Sequence, residues 1–495
     1  MNRQWERLIE GRLSKIVIAI VSVLLISAPA FADGFSFTSG DLVVSVEGNG
    51  VEGATSGSYG DNQAGPLSLF EFDETGTTSA SYVGSLVLPQ IASGSNDPVS
   101  GEYGSSSEGT LQLSGNGEFL TIAGYGVNAA DFNADPGAYS ISSTNTALGQ
   151  SGSIQGAGYT AVPRVVALID ANGSVNSSTA LYGIFNGNNP RSAYTADGIN
   201  IYVSGQGNSP DNTGGVFYTT VGSTSATSIT GNDDGSGLSQ DTREVQIYNG
   251  TLYVSADSKE GSGHNRDFIG TLGTVGGPAP TTVANSSNGP TQLTGFASSN
   301  AGKLTVTAAN TNGINAGVEG GSVNLSPENY FFASPSVLYV ADSGDPKNNS
   351  GTSSLGDGGL QKWVNSSPTG SGTWTLEYTI SAGLDLVPNS SASGTSGLYG
   401  LTGEVVGGEV YLYATNFTLT DLGQTYLYAV TDPLSAMTLP ADESFTELAA
   451  APVDSDFKGV SFAPTAVAAA EPASITLLGL GLAALLFVKR RREAV

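Results

Sequence analysis

Seven short runs in this chain share one layout: two or three apolar residues alternate with small or polar ones after a turn rich in Gly, Asn or Asp. They are "DLVVSVEG" from Asp41, "EFLTIAG" from Glu118, "INIYVSG" from Ile199, "GTLYVSA" from Gly250, "GKLTVTA" from Gly302, "SVLYVAD" from Ser336 and "EVYLYAT" from Glu409. Period-two alternation bounded by turn residues is the pattern of β-strands. Their central positions are Val43, Thr121, Tyr202, Tyr253, Thr305, Tyr339 and Leu412, and the residue two further on is Ser, Thr or Ala in every run. A large residue followed by a small one at a fixed place implies tapered packing near a crowded axis.

Each run has a partner just before it, such as "SAYTADG", "EVQIYNG" and "NYFFASP", across a turn short enough for a hairpin. In six places a third and a fourth strand follow, as in "GGVFYTTVG" then "SATSIT", "GGLQKWVN" then "TWTLEYTI", and "QTYLYAVTDP" then "AMTLP". No convincing helix stands between Asp33 and Thr465. The 68 glycines therefore punctuate an all-β chain. Four-stranded antiparallel units repeated along a chain predict a β-propeller, which leaves only short, protected sheet edges. The unit after "GKLTVTA" has a poor third and fourth strand, so the count is seven blades, with six as the alternative.

The first unit begins at its second strand, and "DFKGVSFAPT" from Asp456 is a lone strand of the missing type. Pairing Val460 to Phe462 with Val43 to Val46 closes the ring. The competing reading, frayed terminal strands of a β-sandwich or β-solenoid, leaves those ends apart.

The two chain ends are of another kind. Arg3, Arg7, Arg12 and Lys15 precede eleven apolar or small residues from Ile16 to Ile26, and then Ala30-Phe31-Ala32. That is the layout of a cleavable secretory signal over residues 1–32. Fourteen residues from Ile475 to Val488 carry no charge, and Lys489, Arg490, Arg491 and Arg492 follow. A helix from Ala473 to Val488 is about 24 Å long, short of a ~30 Å hydrocarbon core, and snorkelling cations make up the difference. The cation cluster predicts a cytoplasmic end.

With Ala470, Glu471, Pro472, Ala473 and Ser474 ahead of the apolar run, residues 466–495 resemble the PEP-CTERM family of bacterial sorting signals. One departure is that Ala470 stands where the first proline of the motif belongs. The resemblance implies recognition by an exosortase after export by the secretion machinery. It also implies a transient inner-membrane intermediate, cleavage near Glu471 and Pro472, and delivery to the cell surface or extracellular matrix. It bears on the tail alone and leaves the domain at 33–465 unassigned.

Four of the 17 Lys and Arg precede Asp33, four follow Val488, and four of the 44 acids lie in those ends. The stretch between carries nine bases and 40 acids, about −31. Such a field excludes nucleic acid and anionic lipid as partners, since both need clustered Lys or Arg. The chain has no cysteine, so stability comes from a core or from bound ions. The single histidine, His264, leaves no zinc site of the Cys/His type.

Few residues carry a chemical signal. His264 lies in "KEGSGHNRDF" with no G-x-S-x-G elbow in the chain, and reads as a solvated loop residue. Asp233, Asp234, Asp342, Asp345 and Asp357 offer oxygen ligands for calcium but lack EF-hand spacing, and Asp is equally a turn residue. Trp363, Trp374 and the tyrosines offer a sugar-stacking surface, or ordinary strand packing. The reading is an exported, non-catalytic surface or matrix propeller without cofactor, contacting extracellular polysaccharide or surface proteins through rim loops and the channel mouth. A secreted propeller hydrolase or lyase, and a calcium-dependent adhesin, are the alternatives.

Overall fold

The inner strand of the first blade comes from the far end of the chain. Ser455–Phe462 pairs antiparallel with Leu42–Gly48, with Val43 opposite Ser461 and Val44 opposite Val460. This is the closure expected from the sequence. Ser68–Glu74 and Ala80–Val87 complete that blade. The computed structural model describes residues 34–54, 56–57, 59–208, 211–231, 241–258, 266–283, 289–296, 303–305, 322–344, 358–388 and 390–466. All its strands fall in one unit that begins at Phe37.

Six blades follow one another, each an antiparallel unit of four strands. The third is Pro190–Thr195, Asn200–Gly205, Gly215–Thr220 and Thr227–Ser228; the fourth, Thr242–Tyr248, Thr251–Ser258, Arg266–Leu272 and Thr291–Gln292. The fifth is Pro327–Ser334, Val337–Asp342, Gly359–Asn365 and Trp374–Ile380; the sixth, Thr395–Val406, Glu409–Thr418, Tyr426–Pro433 and Thr446–Ala450. The second is built on Leu111–Leu113, Phe119–Tyr125, Arg164–Asp170 and Val175–Leu181, and carries the extra pair Ala64–Pro66 and Ser100–Glu102.

Three expectations are corrected. The run after Gly302 is not a seventh blade: Lys303–Thr305 pairs with Ser322–Asn324 in a separate two-stranded sheet, with no hydrogen bond to a blade among the described residues. "AMTLP" is not the outer strand of the last blade, a place taken by Thr446–Ala450. One short helix does exist, Ala129–Ala134, capped by the Asn128 side chain accepting from Asp131 N–H. The helices expected at 1–32 and in the tail lie outside the described residues, and no helix among those described is long and apolar enough to cross a membrane.

The core lies between blades. Val166, Leu168, Ile201 and Phe217 join the second to the third, and Tyr339, Leu360, Leu398 and Leu412 join the fifth to the sixth. Trp363 and Trp374 belong to such a cluster, with exposures of 0% and 3%, and Trp363 stacks on Phe296 at 4.0 Å. They are packing residues, not a sugar platform.

A hydroxyl crosses each junction near the axis, and in three strands it belongs to the small residue repeated in the sequence. Ser45, Ser204 and Ser255 each donate to a carbonyl in the next blade's innermost segment, at Gly109, Arg243 and Glu328. Thr121 donates to Ala193, and Thr415 to Lys458. Between the fifth and sixth blades the direction reverses, with Ser396 Oγ donating to the Ser343 carbonyl at 2.9 Å. In three blades the same hydroxyl also accepts an N–H that a bulge in its own inner strand leaves unpaired: Gly459 to Ser45, Glu244 to Ser255, Gly400 to Thr415. A bulge puts two residues opposite one and re-aims a side chain.

Candidate functional site

The bulged inner strands carry the charged residues of the axis: Arg191, Arg243, Glu328 and Lys458, all buried. Arg243 reaches Glu328 at 3.1 Å and Asp257 at 2.8 Å, and Arg191 pairs with Asp241. Buried cations are tolerated because each meets a carboxylate. Glu47, fully buried, has Lys458 Nζ at 3.9 Å and accepts no hydrogen bond among the described residues. Burial holds its proton on, well above the usual carboxylate range.

Residues 102–109, "EYGSSSEG", are mostly buried and lie against the inner strands of the first and last blades. Lys458 Nζ donates to the Ser105 carbonyl, Tyr399 OH donates to the Glu108 carbonyl at 2.8 Å, and Gly459 N–H donates to that of Gly109 at 3.1 Å. Gly109 has φ +79, and a Cβ there would lie 2.9 Å from Lys458 Cβ. Only glycine adopts that conformation at so close an approach without strain.

Beside this loop opens a cleft of about 390 Å³. Its lining includes Asp61, Asn62, Glu102, Asn145, Thr146 and Asn189. Its far wall is an insertion between the second and third strands of the second blade, residues 126–163. Arg164, at the foot of that insertion, is 1% exposed. Its guanidinium donates to the carbonyls of Ser151, Val162, Phe185 and Asn188, and lies over the Tyr125 ring at 4.6 Å. The helix is tied to the near wall by Asn133, which exchanges two hydrogen bonds with the Ala64 backbone.

Glu102 forms part of the cleft floor, and Glu108 lies behind it. Tyr125 OH and Asn189 Nδ2 both donate to Glu108 Oε1. Burial outweighs those donors and pushes Glu108 up to about 7. Gly149 N–H donates to Glu102 Oε2. Burial and then the neighbouring Glu108 lift Glu102 well above its ordinary range. Asp61, exposed on the rim, is raised by partial burial and by Asp421.

Of the residues singled out from the sequence, Asp342 is described and lies elsewhere. Its carboxylate caps a strand end of the fifth blade, accepting from Ser326 N–H at 3.0 Å, Gly344 N–H at 2.9 Å and Gln361 at 2.9 Å. Asp233, Asp234, Asp345, Asp357 and His264 lie outside the described residues, as do Ala30, Ala32, residues 470–474 and residues 489–492. No group of three or more His, Cys, Asp or Glu arranged for a metal ion occurs among the described residues. Nothing in "EYGSSSE" marked Glu102 and Glu108 beforehand, because a Gly/Ser-rich stretch reads as an exposed turn.

No family model matches the chain, and no curated protein matches it. Solved structures give distant likenesses. A GH74 xyloglucanase from Xanthomonas campestris matches at 11% identity over 84% of this chain and 46% of that one, TM-score 0.33. A Synechocystis apocarotenoid oxygenase variant matches at 10% over 87% and 94%, TM-score 0.32. An oligogalacturonate lyase matches at 9% over 83% and 96%, TM-score 0.30. The chain spans less than half the length of the xyloglucanase.

Proposed function

We propose that this chain is an exported surface or matrix propeller that binds extracellular saccharide in the cleft beside residues 102–109 and does not cleave it. The observation that carries the reading is the cleft's lining of amides, hydroxyls, peptide groups and carboxyls, in a space of about 390 Å³. Small-molecule pockets are mostly apolar with a few polar groups. A wall dominated by polar groups matches a ligand with a hydroxyl at nearly every carbon, because each unpaired polar group would otherwise forfeit its hydration. Affinity chromatography on neutral polysaccharides tests it: retention is expected, and is expected to fall in Asn145→Ala and Thr146→Ala but not in Val83→Ala on an exposed outer strand. Absence of retention on every saccharide would end the reading.

Export and sorting rest on the sequence. The apolar, cation-capped tail acts in this reading as a transient membrane stop, with Glu471 and Pro472 as the residues an exosortase recognises. Cell fractionation with and without the last 25 residues tests this. Secretion of the full chain and altered partitioning of the shortened one are expected, and identical distributions would contradict it.

One observation favours a second reading, a hydrolase or lyase. Asp61 and Glu102 line the same cleft, one exposed on the rim and the other buried, its proton affinity raised by burial and then by Glu108. An acid and a base with separated proton affinities are what glycosidic bond cleavage requires. Release of new reducing or unsaturated ends from a bound polysaccharide would establish it.

A further inference from the structure

The cleft lacks a positive charge among its described lining residues, while two carboxyl side chains line it. Asp61 and Glu102 face it, and Asp421 lies across Gly104 from Asp61. A Cβ built on Gly104 would lie 2.6 Å from Asp61 Oδ1 and 3.5 Å from Asp421 Cβ, so the loop tip holds these two acids close together. Glu102 is 6% exposed, and Gly149 N–H satisfies one of its oxygens. Among the described residues no donor is bonded to the other oxygen of this cleft-lining side chain. The nearest cations, Lys458 and Arg164, are spent elsewhere: one on the Ser105 carbonyl and Glu47, the other on the carbonyls that pin the insertion.

We propose that the cleft is specific for an amino sugar in its free-amine form, whose ammonium group sits between Asp61 and Glu102 while Asn145 and Thr146 take ring hydroxyls. This deepens the saccharide reading and rests on it. An ammonium supplies the missing donor to Glu102 and the missing counter-charge to Asp61 and Asp421. An N-acetyl group supplies a single neutral N–H, and a uronate brings a like charge to a site that already repels its own. The raised proton affinities of Glu102 and Asp61, from burial and then from Glu108 and Asp421 respectively, are those of carboxyls crowded together without a counter-ion. Calcium fits less well, because no group of three metal-ligating side chains is assembled among the described residues.

Titration calorimetry of the full chain with four probes tests the proposal: glucosamine tetramer, N-acetylglucosamine tetramer, galacturonate tetramer and calcium chloride. The glucosamine tetramer is expected to bind at least about tenfold tighter than its acetylated form, with a preference that weakens as salt screens the carboxyls. Asp61→Asn is expected to abolish the preference by weakening the glucosamine tetramer at least about tenfold, and Val83→Ala, on an exposed outer strand, to leave both affinities unchanged. Asp61 is exposed, so the fold tolerates the change, and Asp61→Glu is expected to retain the preference. Equal affinities, or a preference that survives Asp61→Asn, would overturn the amino-sugar proposal and leave saccharide binding standing. Calcium binding that depends on Asp61 would also overturn it, making the site one for an inorganic cation. Failure of all three sugars to bind would remove both readings together.

Discussion

The Gly459 N–H donates to Ser45 Oγ at 2.8 Å, joining residues 414 positions apart in the chain. The same hydroxyl donates to the Gly109 carbonyl at 2.5 Å, so one oxygen ties the first strand, the last strand and the loop at 102–109. Ser45→Ala removes both of these hydrogen bonds and leaves the Gly459 N–H and the Gly109 carbonyl only each other, at 3.1 Å. A loss of about 1–2 kcal/mol is expected from denaturant midpoints. Ser81→Ala, on an exposed outer strand, is expected to cost less than about 0.5 kcal/mol.

Between the fifth and sixth blades, Lys362 and Asp432 form an ion pair at 2.7 Å with both side chains fully buried. Asp432 also accepts from Tyr378 OH at 2.6 Å and from Tyr339 OH. Lys362→Met strands a buried carboxylate, and a loss of about 3–5 kcal/mol is expected. Adding Asp432→Asn removes the uncompensated charge and is expected to recover part of that loss, read as the coupling in a double-mutant cycle.

Stability is expected to fall between pH 5 and pH 8. Glu108, pushed up to about 7, keeps in the folded state a proton that the unfolded chain releases near 4.3. Its contribution is therefore full below about pH 4 and lost as pH rises through about 7, a fall of about 4 kcal/mol over the whole range. Glu443, raised to about 9 by burial and by Asp432, extends the decline to higher pH. Urea midpoints at pH 5 and pH 8 check this, and Glu108→Gln is expected to remove at least half of the difference.

Gly104→Ala connects the loop to the cleft. Gly104 has φ +87, and a Cβ would press on Asp61 Oδ1. A cost of about 1–2 kcal/mol is expected from the left-handed backbone. Because Asp61 must move, saccharide retention is expected to fall further than this modest destabilisation explains.

The ring and its closure were legible in the sequence because a strand buried against two neighbours must alternate. The two segments expected to pair do so, with Val43 opposite Ser461 and, past a bulge, Val46 opposite Phe457. The blade number was not legible from "GKLTVTA" because a hairpin beside the ring alternates as a blade strand does. The repeated small residue was visible at Ser45, Ser204 and Ser255, but its work was not: a hydroxyl acting across a blade junction has no signature within its own strand. The cleft was hidden for a related reason. Glu102, Glu108 and Asp61 meet Asn145 and Asn189 only after the insertion at 126–163 folds back over the second blade, and a single sequence carries no mark of that approach.

The central claim, a six-bladed ring latched by its last strand and holding its cleft through that latch, is tested most directly by ending the chain at Asp454. The shortened protein is expected to lose cooperative unfolding at the full-length midpoint and to lose saccharide retention. A synthetic peptide of residues 455–465 is expected to restore both by reoccupying the open edge beside Leu42–Gly48. A shortened chain that melts at the unchanged midpoint, with or without the peptide, would contradict the account.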